Sequence, residues 1–130
     1  LDDDIIKSID NFHKAMSLIH GPELSPHLRS LSYAYERAGF PEKANYYNLE
    51  ALKLNGDSVA YYQNSALTAY YNGNWEIAVA SNEKLLQTDS TNQHFLHRIG
   101  ESYMYLGKYE ESLKYLKKRM NRICSPASLL

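Results

Sequence analysis

Ala38-Gly39-Phe40-Pro41-Glu42-Lys43-Ala44, Asn72-Gly73-Asn74-Trp75-Glu76-Ile77-Ala78 and Leu106-Gly107-Lys108-Tyr109-Glu110-Glu111-Ser112 are three versions of one heptapeptide, set 34 residues apart. Each glycine is followed two positions later by a ring (Pro41, Trp75, Tyr109) and five positions later by a small side chain (Ala44, Ala78, Ser112). The register also holds backwards. Seven positions before the glycines stand the small residues Ser32, Ala66 and Gly100, and eleven before them the large Leu28, Tyr62 and Leu96.

Each glycine closes one apolar helical pattern just before a second one opens. Two helical patterns per period of this length describe a stacked array in which each unit hides its apolar face against its neighbours. The small residues have a physical reason. Helix axes lie about 8 to 10 Å apart, and the closer crossings need small side chains, which Ser32 with Ala44, Ala66 with Ala78, and Gly100 with Ser112 would provide. A glycine after the first helix suits a left-handed C-terminal cap. Pro41 then fits a first helical turn, where no backbone donor is needed.

On these residues the chain resembles the tetratricopeptide repeat family, which stacks antiparallel helix pairs with a 34-residue period. The resemblance is strongest in the three heptapeptides. It is weaker where the family favours an aromatic and the middle unit has Ala69, against Tyr35 and Tyr103. A second ring position is filled by Asn48, Asn82 and Leu116, and the proline near each unit's end by Gly56, Ser90 and Cys124. The resemblance implies an all-α fold, a right-handed α-solenoid of three helix-turn-helix units (25–58, 59–92, 93–126). A capping helix within 1–24 precedes the units and a tail, 127–130, follows them.

Helices are expected at 4–20, 26–38, 41–54, 58–72, 75–88, 92–106 and 109–122, with no stretch alternating long enough for a strand. Asp2, Asp3 and Asp4 open the first near its positive dipole end. Ile5, Ile9, Phe12, Met16 and Ile19 form its apolar stripe, Gly21-Pro22 ends it, and Ser25-Pro26 caps the next. The helix around Ala44 has a broad apolar arc through Tyr47, Ala51, Leu52 and Leu54. The last has one dry stripe, Tyr109, Leu113, Leu116, Met120 and Ile123, with Glu110, Lys114, Lys117, Lys118 and Arg122 outside it, as a terminal solvating helix would.

Composition narrows the function classes. With 14 basic and 15 acidic residues, the formal net charge of −1 argues against nucleic acid as a partner. No apolar run reaches the roughly 18 residues of a membrane span, and the opening residues carry no signal-peptide pattern. The single cysteine, Cys124, cannot form an internal disulfide, which favours a reducing, cytoplasmic setting. At 130 residues and 44% hydrophobic content the chain can bury a core without a staple. Its first residue, Leu1, and its aperiodic end read as a piece of a longer protein.

In the resembled architecture the first helix of each unit lines a concave groove. That places Arg29, Tyr33, Glu36 and Arg37 of the first unit there, then Gln63, Asn64, Leu67, Tyr70 and Tyr71 of the second. From the third come His94, His97, Arg98, Glu101, Met104 and Tyr105. Aromatic and hydrogen-bonding side chains interleave on that surface, as for gripping a peptide or protein segment. Some family members hold a partner's terminal carboxylate in a clamp of basic residues and asparagines. Arg29, Asn64 and Arg98 match that clamp, whereas Tyr33 and His94 replace an asparagine and a lysine. The alternative for the two arginines is solvation or pairing with Glu36 and Glu101. Of the twelve tyrosines, the neighbours Tyr46-Tyr47, Tyr61-Tyr62 and Tyr70-Tyr71 point about 100° apart on a helix, so one ring of each pair should pack and the other face outward.

Enzymatic signatures are missing: no H-E-x-x-H, no phosphate-binding glycine loop, no nucleophile elbow. His94, His97 and Glu101 share one helix face and could ligate zinc only if all three converged. His13 and His20 read as surface residues of the capping helix and His27 as a first-turn residue, none with an obvious partner. The reading is therefore a non-catalytic protein- or peptide-binding arm with no cofactor and no membrane partner. The alternative is self-association, as a homodimer, or docking on an adjoining domain through the terminal helices.

Overall fold

The three glycines each turn the chain in the same way. In the computed structural model, which describes residues 3–123, Gly39, Gly73 and Gly107 adopt φ of 87°, 70° and 75°. The amide after each reaches back to a carbonyl five residues earlier: Phe40 to Tyr35, Asn74 to Ala69 and Lys108 to Tyr103, at 2.9, 2.8 and 2.9 Å. This is the 6→1 closure of a Schellman motif, which satisfies a carbonyl left open by the helix end. The carbonyl of that same residue then accepts the first i→i−4 bond of the next helix, from the amides of Ala44, Ala78 and Ser112, each at 3.0 Å.

The described residues form seven α-helices and no strand: α1 Asp3–Met16, α2 Ser25–Arg37, α3 Pro41–Asn55, α4 Ser58–Tyr71, α5 Trp75–Thr88, α6 Gln93–Tyr105 and α7 Tyr109–Ile123. The protein is all-α, with chain neighbours packed together: α1 on α2, α2 on α3, α5 on α6 and α6 on α7. Two compact units divide inside α4, one ending at Asn64 and the other beginning at Ser65. No described helix is long and apolar enough to cross a membrane.

In the first unit Leu31, Tyr35 and Ala44 make the buried centre, and Ile9, Phe12, Met16 and Tyr47 pack around it. Leu31 is wholly enclosed, a burial worth about 2 kcal/mol. Tyr35 and Tyr47 stack with centroids 5.4 Å apart. In the second unit Ala78, Leu85, Leu96 and Ile99 are buried. Asn48 and Asn82 are both enclosed: Asn48 donates to the Tyr61 carbonyl at 3.2 Å and Asn82 to the Ala78 carbonyl at 2.8 Å.

Two of the three expected small-residue crossings are hydrogen-bonded. Ser32 Oγ donates to the Ala44 carbonyl and Ser112 Oγ to the Gly100 carbonyl, both at 2.6 Å. Ala66 and Ala78 are both buried.

The structure corrects several expectations. α1 stops at Met16, not residue 20, because Ser17 and Leu18 tighten the chain: Ser17 Oγ takes up the Lys14 carbonyl at 2.6 Å and Leu18 N bonds Ala15 O at 3.0 Å, an i→i−3 closure. Gly21-Pro22 opens a 3₁₀ turn, Gly21–Leu24, instead of ending a helix. Ser25 is no cap; it is buried within α2 and donates to the Ala51 carbonyl at 3.1 Å. The true side-chain caps are Asp57, which accepts from Ala60 N, and Asn92, which accepts from His94 N and Phe95 N. The apolar arc of α3 is narrower than expected, since Leu54 is exposed. The stripe of α7 is not dry: Tyr109, Leu113 and Met120 are 69%, 53% and 59% exposed. Asp2, Cys124, the third unit's end at Pro126 and the tail 127–130 lie outside the described residues, as do the side chains of Arg122 and Ile123.

Candidate functional site

The residues expected to face a partner fall in both units, and each set has its own geometry. In the unit ending at Asn64, Arg29 Nη1 donates to Ser25 Oγ at 2.9 Å. Arg37, one helical turn beyond Tyr33, reaches the Tyr33 hydroxyl at 3.3 Å with its guanidinium 5.9 Å from the ring centroid. Asn64 Nδ2 donates to Ser32 Oγ at 3.3 Å, tying it to the α2–α3 crossing. Gln63 is exposed.

The second unit gathers its residues more tightly. α4 delivers Tyr70 and α6 delivers Arg98 and Glu101. The Arg98 guanidinium lies 3.9 Å from the Tyr70 ring centroid, a close cation–π contact. Glu101 closes the triangle, with Oε2 3.4 Å from Arg98 Nη1 and Oε1 3.3 Å from the Tyr70 hydroxyl, which donates to it. His97 Nε2 lies 3.8 Å from the same carboxylate. His97 Nδ1 is buried and has no hydrogen-bond partner among the described residues. His94 stays exposed at the start of α6; partial burial, then the charge of Arg98 and the neighbouring His97, lower its pKa below 6.5.

Rings extend the cluster on one side. Tyr105 stacks on Trp75 at 4.3 Å with planes 11° apart, and Trp75 meets Tyr70 edge-on at 5.7 Å. Tyr105 and Tyr71 remain 57% and 64% exposed, and Leu67 and Met104 are also exposed. Trp75 was absent from the residues expected at this surface. Its place two positions after Gly73 marked it only as a repeat ring, and nothing in helix periodicity shows that it meets Tyr105 across 30 positions of sequence.

Two histidines have partners that the sequence did not suggest. His13 is exposed, as expected, and its Nε2 lies 3.0 Å from the Tyr35 hydroxyl. His27 Nδ1 lies 3.3 Å from the Glu23 carbonyl. His94, His97 and Glu101 do not gather as ligands, and no group of three metal-binding side chains occurs among the described residues. The paired tyrosines follow the one-in, one-out rule at Tyr46-Tyr47 and Tyr70-Tyr71, whereas Tyr61 and Tyr62 are both half-buried.

The second-unit cluster sets one cation and one carboxylate beside partly exposed rings. Arg98 and Glu101 neutralise each other while leaving donors and acceptors beside flat apolar rings. Compared with protein-family models and with curated proteins, the chain matches none.

Proposed function

We propose that this chain is a non-catalytic binding module of the tetratricopeptide repeat type, an adaptor or scaffold arm whose stacked helix pairs form a solenoid that holds a protein or peptide segment on its groove-facing helices. The observation that carries the reading is the second-unit cluster. Tyr70, Trp75 and Tyr105 offer ring surface next to the Arg98–Glu101 pair, and rings with polar tips beside a guanidinium are the composition of interface hot spots. The 34-residue repetition of the Schellman turns, with hydrogen-bonded serine crossings two periods apart, supports the repeat assignment.

The pairing of Arg98 with Glu101 favours peptide backbone and neutral polar groups over a terminal carboxylate. A clamp needs a guanidinium fork free to accept both carboxylate oxygens, and Arg29 and Arg98 already hold Ser25 and Glu101. The module in this reading acts in the cytoplasm and uses neither cofactor nor nucleic acid.

A peptide-display selection against the folded chain tests it. Peptides enriched on the native chain should bind Arg98→Ala/Asn64→Ala and Tyr105→Ala about tenfold more weakly, with helical circular dichroism unchanged. A library yielding no enriched peptide, or peptides binding all three proteins equally, would refute the proposal.

A further inference from the structure

Among the described residues, α7 exposes an apolar stripe whose repeat counterpart on α5 is more enclosed. Shifting by 34 residues places Tyr109, Leu113 and Met120 of α7 on Trp75, Val79 and Leu86 of α5. Beside α5 lies α6, and there Val79 is 7% exposed and Trp75 is stacked on Tyr105. On α7, Leu113 is 53% exposed. These positions are buried or half-buried on α5 and exposed on α7.

We propose that a second copy of this chain supplies the missing helix, through antiparallel pairing of α7 with α7. Tyr109, Leu113, Leu116 and Met120 recur at spacings of four, three and four, the repeat of a two-helix seam. In one antiparallel register Tyr109 meets the partner's Met120 and Leu113 meets the partner's Leu116, each contact occurring twice about a two-fold axis. Leu116 is half-buried, so it can serve both α6 and the seam.

Charge selects this register. Glu110 and Lys117 flank the stripe on the side away from Ser112 and Arg119, which are more enclosed. With Leu113 on the partner's Leu116, Glu110 of each copy faces Lys117 of the other, giving two opposite-charge pairs. Sliding the helices by one heptad would set Lys117 against Lys117. A parallel pair would place Lys117 beside Ser112, with no charge gained. Flanking charges of this kind set orientation and partner choice in helix pairs. The acidic first turn, Glu110 and Glu111, and the downstream Lys114, Lys117 and Lys118 make α7 complementary to itself only when reversed.

With about two heptads the dimer is weak, with a dissociation constant on the order of 100 µM. Sedimentation equilibrium of the whole chain, from about 10 µM to about 1 mM, should show a monomer–dimer equilibrium. Glu110→Lys or Lys117→Glu alone should weaken it about tenfold, because both symmetric pairs turn repulsive. The double variant Glu110→Lys/Lys117→Glu, and an equimolar mixture of the two single variants, should recover it. Leu113→Glu should leave monomer. Circular dichroism confirms that each variant is folded. A native chain monomeric throughout that range overturns the proposal, as does a dimer indifferent to the charge reversals.

Discussion

The Oγ of Ser112 lies 2.6 Å from the carbonyl oxygen of Gly100, twelve residues earlier on the helix it packs against. The identical separation and distance join Ser32 to Ala44, with the roles of first and second helix exchanged. In both places a hydroxyl opposite a very small residue, Ala44 or Gly100, reaches the other helix's backbone, so the crossing is preserved even though its serine changes sides. The small partner is as necessary as the hydroxyl, since a bulkier residue would hold the carbonyl out of reach.

Gly100→Ala should therefore lose stability. A Cβ there would stand 2.7 Å from Leu116 Cδ2, 2.8 Å from its Cγ and 3.3 Å from the Ser112 carbonyl oxygen. Alanine gains about 1 kcal/mol in helix propensity over glycine, but overpacking costs about 1 to 3 kcal/mol, and we expect a net loss of about 1 kcal/mol by thermal denaturation. Gly107→Ala should lose a similar amount for an unrelated reason. It has open space around it and φ of +75°, so the cost of about 1 to 2 kcal/mol is in the backbone alone, and Gly107→Asn should restore part of it. A stabilised Gly100→Ala protein would show that the α6–α7 crossing has slack.

Ser32→Ala should destabilise more than Ser112→Ala. Both lose a buried hydrogen bond worth about 1 kcal/mol, but Ser32 Oγ also accepts from Asn64 Nδ2. Urea denaturation of the two variants would check the order, and equal midpoints would mean that the Asn64 contact contributes nothing.

The phenol of Tyr115 ties alkaline stability to α7. Burial first, then its hydrogen bond to Glu83 and the charge of that carboxylate, push its pKa from 10.0 up to about 12. Tyr103 donates to the same Glu83 oxygen, and its pKa is raised by similar causes. The fold favours the protonated phenol, so this contribution is intact below pH 10 and declines as pH rises through about 12. Denaturation midpoints across that range should fall less steeply for Tyr115→Phe, and an unchanged slope would place the decline elsewhere.

His94 provides the acid counterpart. Its pKa is lowered, by burial first and then by Arg98 and His97, so the folded state binds fewer protons than the unfolded chain just below pH 6.5 and loses stability there as pH falls. A ¹H–¹⁵N titration should show its midpoint below 6.5. Arg98→Ala should move that midpoint upward, and no movement would exclude the guanidinium as a contributor.

α1 is the element most easily released. It has no fully buried residue, and it is held through Ile9, Phe12 and Met16 against the Leu31–Tyr35–Ala44 centre together with the His13–Tyr35 contact. Phe12→Ala should cost about 2 kcal/mol and raise amide exchange in α1 well above that in α2. Uniform exchange across both helices would show that α1 unfolds only with the rest of its unit.

Local rules made much of this chain legible. Gly39, Gly73 and Gly107 announced their left-handed turns, and Pro41, Trp75 and Tyr109 each open the helix expected of them, because these preferences depend on a few adjacent residues. The first helix was read too long because its Ile5–Ile19 spacing stays helical past Met16, while the contest at Ser17 between helix and local turn is settled by hydrogen bonds that a hydrophobic pattern does not register. Arg98 and Glu101, three apart on one face, could be paired from sequence; the Tyr70 ring beneath them could be placed only on its own helix.

The order of residues was enough to specify the all-helical class, the 34-residue period and the turns, since each follows from backbone preferences and apolar spacing within one or two helices. Packing alone decided that Trp75 stacks on Tyr105, that Glu83 receives both Tyr103 and Tyr115, and that Tyr109, Leu113 and Met120 of α7 are exposed. Those outcomes depend on which helices come within a side chain's length of one another, a distance in space that separation along the chain does not encode.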